Sequence, residues 1–143
     1  MVVNVPSKRN KMKLRIHDNS IRLRLTRSEV ARFASAGKLE SAVEFGPSPD
    51  QRMRYALESS AQVTGPQVRF GDQRLCILLP AATAKEWTGG DRVAVAGHQD
   101  LKDERQLDIL VEKEFRRLHG AKFDPDLYPN PLEAANRAER TGG

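Results

Sequence analysis

Apolar residues of this chain recur in the same phase 54 positions apart, and that recurrence limits the fold more than any single motif. Leu14 corresponds to Val68 and Ile16 to Phe70. Ile21, Leu23 and Leu25 correspond to Leu75, Ile77 and Leu79, while Val30 meets Ala84 and Phe33 meets Trp87. The pairs Asp18/Asp72, Lys38/Arg92, Leu39/Val93, Leu57/Val111 and Glu58/Glu112 keep that spacing with no gap. Self-similarity at one fixed period marks a repeated supersecondary unit.

The content of the unit follows from local chemistry. "KLRI" (Lys13–Ile16) and "IRLRL" (Ile21–Leu25) alternate with period two around "HDNS", a cluster of turn formers, and predict a β-hairpin. Thr26 and Glu29 have capping-box spacing, so a helix starts there, with Val30, Phe33 and Ala34 on its apolar face and Gly37 at its end. "KLESAVEF" and "RMRYALES" read as two further strands joined by "GPSPD". The expected fold class is therefore α+β: duplicated ββαββ units, 11–60 and 65–117, within a single domain spanning 11–120. A unit of about 50 residues buries too little surface to stand alone. Two related by a pseudo-twofold axis are expected to complete one core as a small β-barrel of eight strands with two short helices. Residues 1–10 read as a flexible basic arm, and 121–143 as an irregular C-terminal tail with a short helix from about Leu132.

Composition narrows the class of partner. The chain of 143 residues has 38% hydrophobic and 30% charged residues, which suits a globular domain. No apolar run approaches the roughly 20 residues of a membrane helix, and "MVVNVPSKRNKMK" lacks the apolar core of a signal peptide. A single cysteine, Cys76, excludes an intrachain disulfide and a cysteine-based zinc site. The expectation is a cytoplasmic protein without membrane attachment. Residues 1–60 hold 12 Lys/Arg against 6 Asp/Glu, and residues 61–143 hold 12 against 13. The net charge of +5 thus belongs to the first half, which points to a polyanion or an acidic partner, or simply to a solvated surface.

Two stretches carry a resemblance. Asn19-Ser20, Arg24 and the helix from Thr26 in the first half resemble the AbrB/MazE/SpoVT swapped-hairpin family. So does "LLPAATAKEWTGGDRVAVAG" (Leu78–Gly97) in the second, where Pro80 takes the helix start and Gly90-Asp91 precedes a strand of alternating valines. The likeness covers about 11–60 and 65–113. It departs at "GKLE", where the first half lacks Gly-Asp, and in the second half, which has neither the Asn-Ser turn nor the arginines. That family consists of DNA-binding antitoxins and transition-state regulators whose dimers interlock two ββαββ units. The resemblance therefore implies a covalent pseudo-dimer, acting as a monomer or homodimer. The chain as a whole also resembles small bacterial proteins of uncharacterised function.

The candidate nucleic-acid-binding residues are Lys13, Arg15, Asn19, Arg22, Arg24 and Arg27, with Arg32 able to widen the patch. With the leucines and isoleucines inward, the strand cations share the opposite face, a ribbon suited to phosphates or guanine edges. An edge sheet kept soluble by charge is the competing account. At the matching positions of the second half stand Cys76 and Leu78, so that outer face needs a cover, expected from the tail with Phe115, Leu118, Phe123, Leu127 and Tyr128. The alternative is a protein-interaction module that uses this apolar face or the tail.

No metal and no cofactor is expected. His17, His98 and His119 are scattered, and "DPD" (Asp124–Asp126) lacks the remainder of a calcium loop. Cys76 reads as a buried strand thiol. Glu112, Lys113 and Glu114 offer the one place for an acid/base pair, with Lys113 on the face opposite the two glutamates, although strand-end charges in solvent are the ordinary explanation. Binding, rather than catalysis, is the expected function.

Overall fold

The computed structural model describes residues 12–115 and 125–129. The order of elements is β1 (Lys13–His17), β2 (Ser20–Leu25), α1 (Arg27–Ala36), β3 (Lys38–Glu44), β4 (Arg52–Ser60), β5 (Gln67–Gly71), β6 (Arg74–Pro80), α2 (Ala81–Gly89), β7 (Ala94–Asp100) and β8 (Gln106–Lys113), with a 3-10 turn at Pro49–Gln51 before β4. Arm residues 1–10, the remainder of the tail and its expected helix lie outside the described residues.

Local signals produced the elements where the residue chemistry demanded them. Thr26 caps α1, and the Glu29 carboxylate accepts from the Thr26 backbone N–H at 2.9 Å. Gly37 ends the helix at φ +77°, a left-handed conformation that costs glycine no Cβ clash, and its N–H donates to Phe33 O at 2.8 Å. Val30 and Phe33 are buried, whereas Ala34 remains exposed.

The eight strands form two separate four-stranded sheets, ordered β1-β2-β8-β7 and β3-β4-β6-β5. Each hairpin pairs internally antiparallel, and the hairpins join through parallel contacts of β2 with β8 and β4 with β6. The first hairpin therefore sits beside the last, and the second beside the third. The sheets do not close into the expected barrel. At one seam a side chain bridges the strands instead of a ladder: the Val68 N–H donates to Gln99 Oε1 at 2.8 Å, and Pro66 packs directly on Gly97.

The 54-residue spacing holds for β1 and β5, β2 and β6, α1 and α2, and β4 and β8. It fails at β7, which starts 56 residues after β3 because Gly90–Val93 lengthen the connection from α2. Leu39 opposes Leu57, but Val95, not Val93, opposes Val111. The shorter Leu101–Arg105 turn then returns β8 to the 54-residue spacing.

The core lies between the inner faces and under the helices. Leu23, Leu25, Val95, Ile109 and Val111 come from the first sheet, and Tyr55, Leu57, Ile77 and Leu79 from the second. Phe33 and Trp87 meet edge to face, with ring centroids 6.2 Å apart, and the Trp87 indole N–H donates to Val93 O at 3.1 Å. Each such burial contributes about 1.5–3 kcal/mol. The outer face of the second sheet holds its own cluster of Ala56, Cys76, Leu78 and Val63, the last from the β4–β5 connection.

Described tail residues 125–129 do not lie over that cluster. The Arg27 N–H donates to Asp126 O, and the Asp126 carboxylate accepts from the Ser28 N–H at 2.9 Å and its hydroxyl at 2.8 Å. The Tyr128 N–H donates to Glu114 O while its ring meets Phe115 at 5.6 Å. The segment thus ties the start of α1 to the end of β8. Four bare N–H groups and a positive dipole end attract a carboxylate there more than an apolar sheet face would. Leu118 and Phe123 lie outside the described residues.

Candidate anion-binding face

Burial of Ile21, Leu23 and Leu25 turns Ser20, Arg22 and Arg24 to the outer face of the first sheet. Register then sets Lys13 opposite Arg24, Arg15 opposite Arg22 and His17 opposite Ser20. Four of the six predicted residues, Lys13, Arg15, Arg22 and Arg24, are thereby gathered as two stacked like-charge pairs. Such cross-strand pairs are unfavourable unless a counter-charge is near.

The neighbouring strand supplies one. Arg24 lies beside Glu112 and Arg22 beside Leu110, with Asp108 following at Ser20. Arg24 Nε donates to Glu112 Oε1 at 2.5 Å, Arg22 Nε is 3.8 Å from the same oxygen, and Lys13 Nζ bonds Glu114 Oε1. Arg15 makes no ion pair among the described residues and is exposed. The ribbon is therefore not the fully open cationic surface that the sequence suggests. Its unbalanced charge is concentrated at Arg15 and the weakly braced Arg22. A cleft of about 330 Å³ opens there, lined by Arg15, Ile16, His17, Ser20 and Arg22.

The remaining two candidates do other work. The Asn19 side-chain amide donates to Gln106 O at 2.6 Å, and the Asn19 backbone carbonyl accepts from the Asp108 N–H, pinning the first turn to the start of β8. Arg27 points away from the ribbon, with its guanidinium 5.9 Å from the centre of the Tyr128 ring. Arg32 is engaged near Glu29 and Asp126. His17 is exposed beside Asp18.

Glu112 and Glu114 face outward and Lys113 inward, as period two predicts. The acid/base grouping is not assembled: Lys113 Nζ donates to Gly90 O at 2.9 Å, at the end of α2, and lies 5.3 Å from the Tyr128 ring centre. Burial lowers its pKa below the usual 10.5. Among the described residues no three His, Cys, Asp or Glu side chains gather as a metal site. No helix among them is long and apolar enough to cross a membrane.

The outer face of the second sheet carries a charge cluster that sequence reasoning missed. Arg74 bonds Glu58 at 2.5 Å and Glu40 at 3.1 Å, and Arg54 is 3.9 Å from Glu40. The Arg74 hydrogen bond holds the Glu58 carboxyl below its ordinary 4.5. Burial, with Glu58 beside it, pushes the Cys76 thiol up to about 11, which leaves it inert as a nucleophile. The alternation "RMR" with a second arginine-bearing strand at Arg74 was the available signal.

No curated protein and no solved structure is detectably similar to the chain. One family model does match, over residues 12–132, so it takes in both sheets, both helices and the Asp126–Tyr128 clasp. The chain belongs to the family of unknown function DUF7009.

Proposed function

We propose that the protein is a nucleic-acid-binding module, built as two fused ββαββ units in the manner of the swapped-hairpin regulators. The reciprocal placement of hairpins supports the duplication, since each unit lends its first hairpin to the other's last. The observation that carries the binding reading is the Arg15–Arg22 cross-strand pair, a like-charge contact with one carboxylate 3.8 Å from one member. A backbone phosphate between the two guanidinium groups would relieve a repulsion of about 0.5 kcal/mol and accept charge-assisted hydrogen bonds. Lys13 and Arg24, already bonded to Glu114 and Glu112, brace the ribbon rather than read the ligand.

Fluorescence anisotropy with random-sequence duplex DNA at several salt concentrations tests the reading. Affinity should fall with a log–log slope of about −0.9 per phosphate contacted. Arg15→Ala with Arg22→Ala should abolish most binding, while Arg24→Ala changes it little. Absent or salt-independent binding, or a double variant that binds like the wild type, rejects the reading. The second reading, a protein-interaction module that uses the second-half apolar face or the tail, draws less support from that face, where Cys76 and Leu78 are each only 5% exposed.

A further inference from the structure

The four sheet edges are not equivalent. At one seam β5 and β7 shield each other through the Val68–Gln99 bond and the Pro66–Gly97 contact. β1 carries Lys13, Arg15 and His17 on its outer face, so pairing with its own copy would set cation against cation. β3 is also an edge, and no backbone hydrogen bond satisfies its side away from β4 among the described residues. Its sequence, "KLESAVE", is complementary to itself.

We propose that β3 is the interface for a second copy of this chain, joined antiparallel about Ser41. Lys38 then faces the partner subunit's Glu44, Leu39 faces the partner subunit's Val43, and Glu40 faces the partner subunit's Ala42. The contact is isologous, so each pair occurs twice about a twofold axis. Lys38 already opposes Glu58, and Glu44 opposes Arg52, within one copy. The joined row therefore reads Arg52, Glu44, the partner subunit's Lys38 and the partner subunit's Glu58, alternating in sign across the interface. On the inner face Val43, 36% exposed, leaves water against a leucine. A two-residue slip sets Glu40 against Glu44 or against itself, and a one-residue slip turns the apolar residues outward. The register is thus specified by charge and by burial together. The result is a continuous eight-stranded sheet that leaves both Arg15–Arg22 clefts free on the other sheets, and it holds whether or not those clefts bind nucleic acid.

Sedimentation velocity on the full chain across a concentration series is the test. The wild type should dimerise reversibly. Glu44→Lys and Lys38→Glu should each weaken association about tenfold or more, by placing like charges opposite at two symmetric sites. Combining Lys38→Glu with Glu44→Lys should restore the dimer, because the charges are then exchanged rather than removed. Hydrogen exchange on the unaltered chain gives a reading that needs no variant: amides of β3 should slow with rising concentration while those of β1 do not. A wild type that stays monomeric, a dimer indifferent to both reversals, a double variant that is not rescued, or β3 amides insensitive to concentration overturns the proposal.

Discussion

The run from Lys13 to Ser60 and the run from Gln67 to Lys113 pass through the same order of elements, yet they solve two problems differently. In the first, β2 sets Arg22 and Arg24 on the outer face and leaves both to the one carboxylate of Glu112, 90 and 88 residues away. In the second, β6 sets Cys76 and Leu78 at the corresponding places, and Ala56 and Val63 close over them. The helices differ too. The start of α1 is held by Thr26, by Glu29 and by Asp126 from the tail, whereas α2 starts at Pro80 with no side-chain cap. One topology thus tolerates either half-exposed arginines or buried apolar side chains at the same two outward positions. What the inner faces require is only that Leu23 and Leu25, or Ile77 and Leu79, reach the core.

Exchanging these outer residues is the strongest way to break the comparison. Leu78→Arg, which makes β6 resemble β2, forces a cation in among Ala56, Cys76 and Val63, beside a Glu58 carboxylate that Arg74 already occupies. It should destabilise by about 3 kcal/mol or more, measured by urea unfolding. Thr26→Ala removes a cap that α2 never had and should cost about 1–2 kcal/mol in the same assay, with no counterpart for Pro80→Ala.

Glu29 sharpens the contrast between the helix starts. It is 1% exposed, its Oε2 has no hydrogen-bond partner among the described residues, and burial raises its pKa above 4.5. The folded state therefore holds this proton more tightly than the unfolded chain. Its favourable contribution is complete below pH 4.5 and is lost as pH rises through the raised value. Asp126 has the opposite sign. Burial pushes it up, but the Ser28 N–H and hydroxyl bonds hold it below 3.8, so its contribution disappears as pH falls through that lowered value. Glu29→Gln should remove only the first limb, raising stability by about 1 kcal/mol at pH 8 and leaving acid unfolding in place, as thermal melts across pH would show. The smallest effect belongs to Arg24→Leu, which makes β2 resemble β6. A half-exposed ion pair is weak, so the loss should stay within about 1 kcal/mol, read from the same urea curves.

Local chemistry made much of the fold legible. Thr26, Glu29 and Gly37 bounded α1, and alternation around "HDNS" defined the first hairpin, because caps and turns act within a few residues. The uninterrupted 54-residue spacing was misleading at Val93, since two extra residues before β7 and two fewer after it cancel by β8. Reading the candidate face from "IRLRL" found the cations but not their partners. Nothing near Arg24 indicates that Glu112 will stand beside it.

From the order of residues alone come the strands, both helices, the inward and outward sides of each strand, and the excess of positive charge on the first hairpin. Those depend on backbone propensity and on a period of two or 3.6, which neighbours in sequence impose. Tertiary structure alone decided that β2 runs beside β8, which arginine retains an unbalanced charge, and that Asp126 completes α1. Each of these is a Coulombic or hydrogen-bonded contact across most of the chain, effective only over a few ångströms, and so absent until the hairpins have found one another.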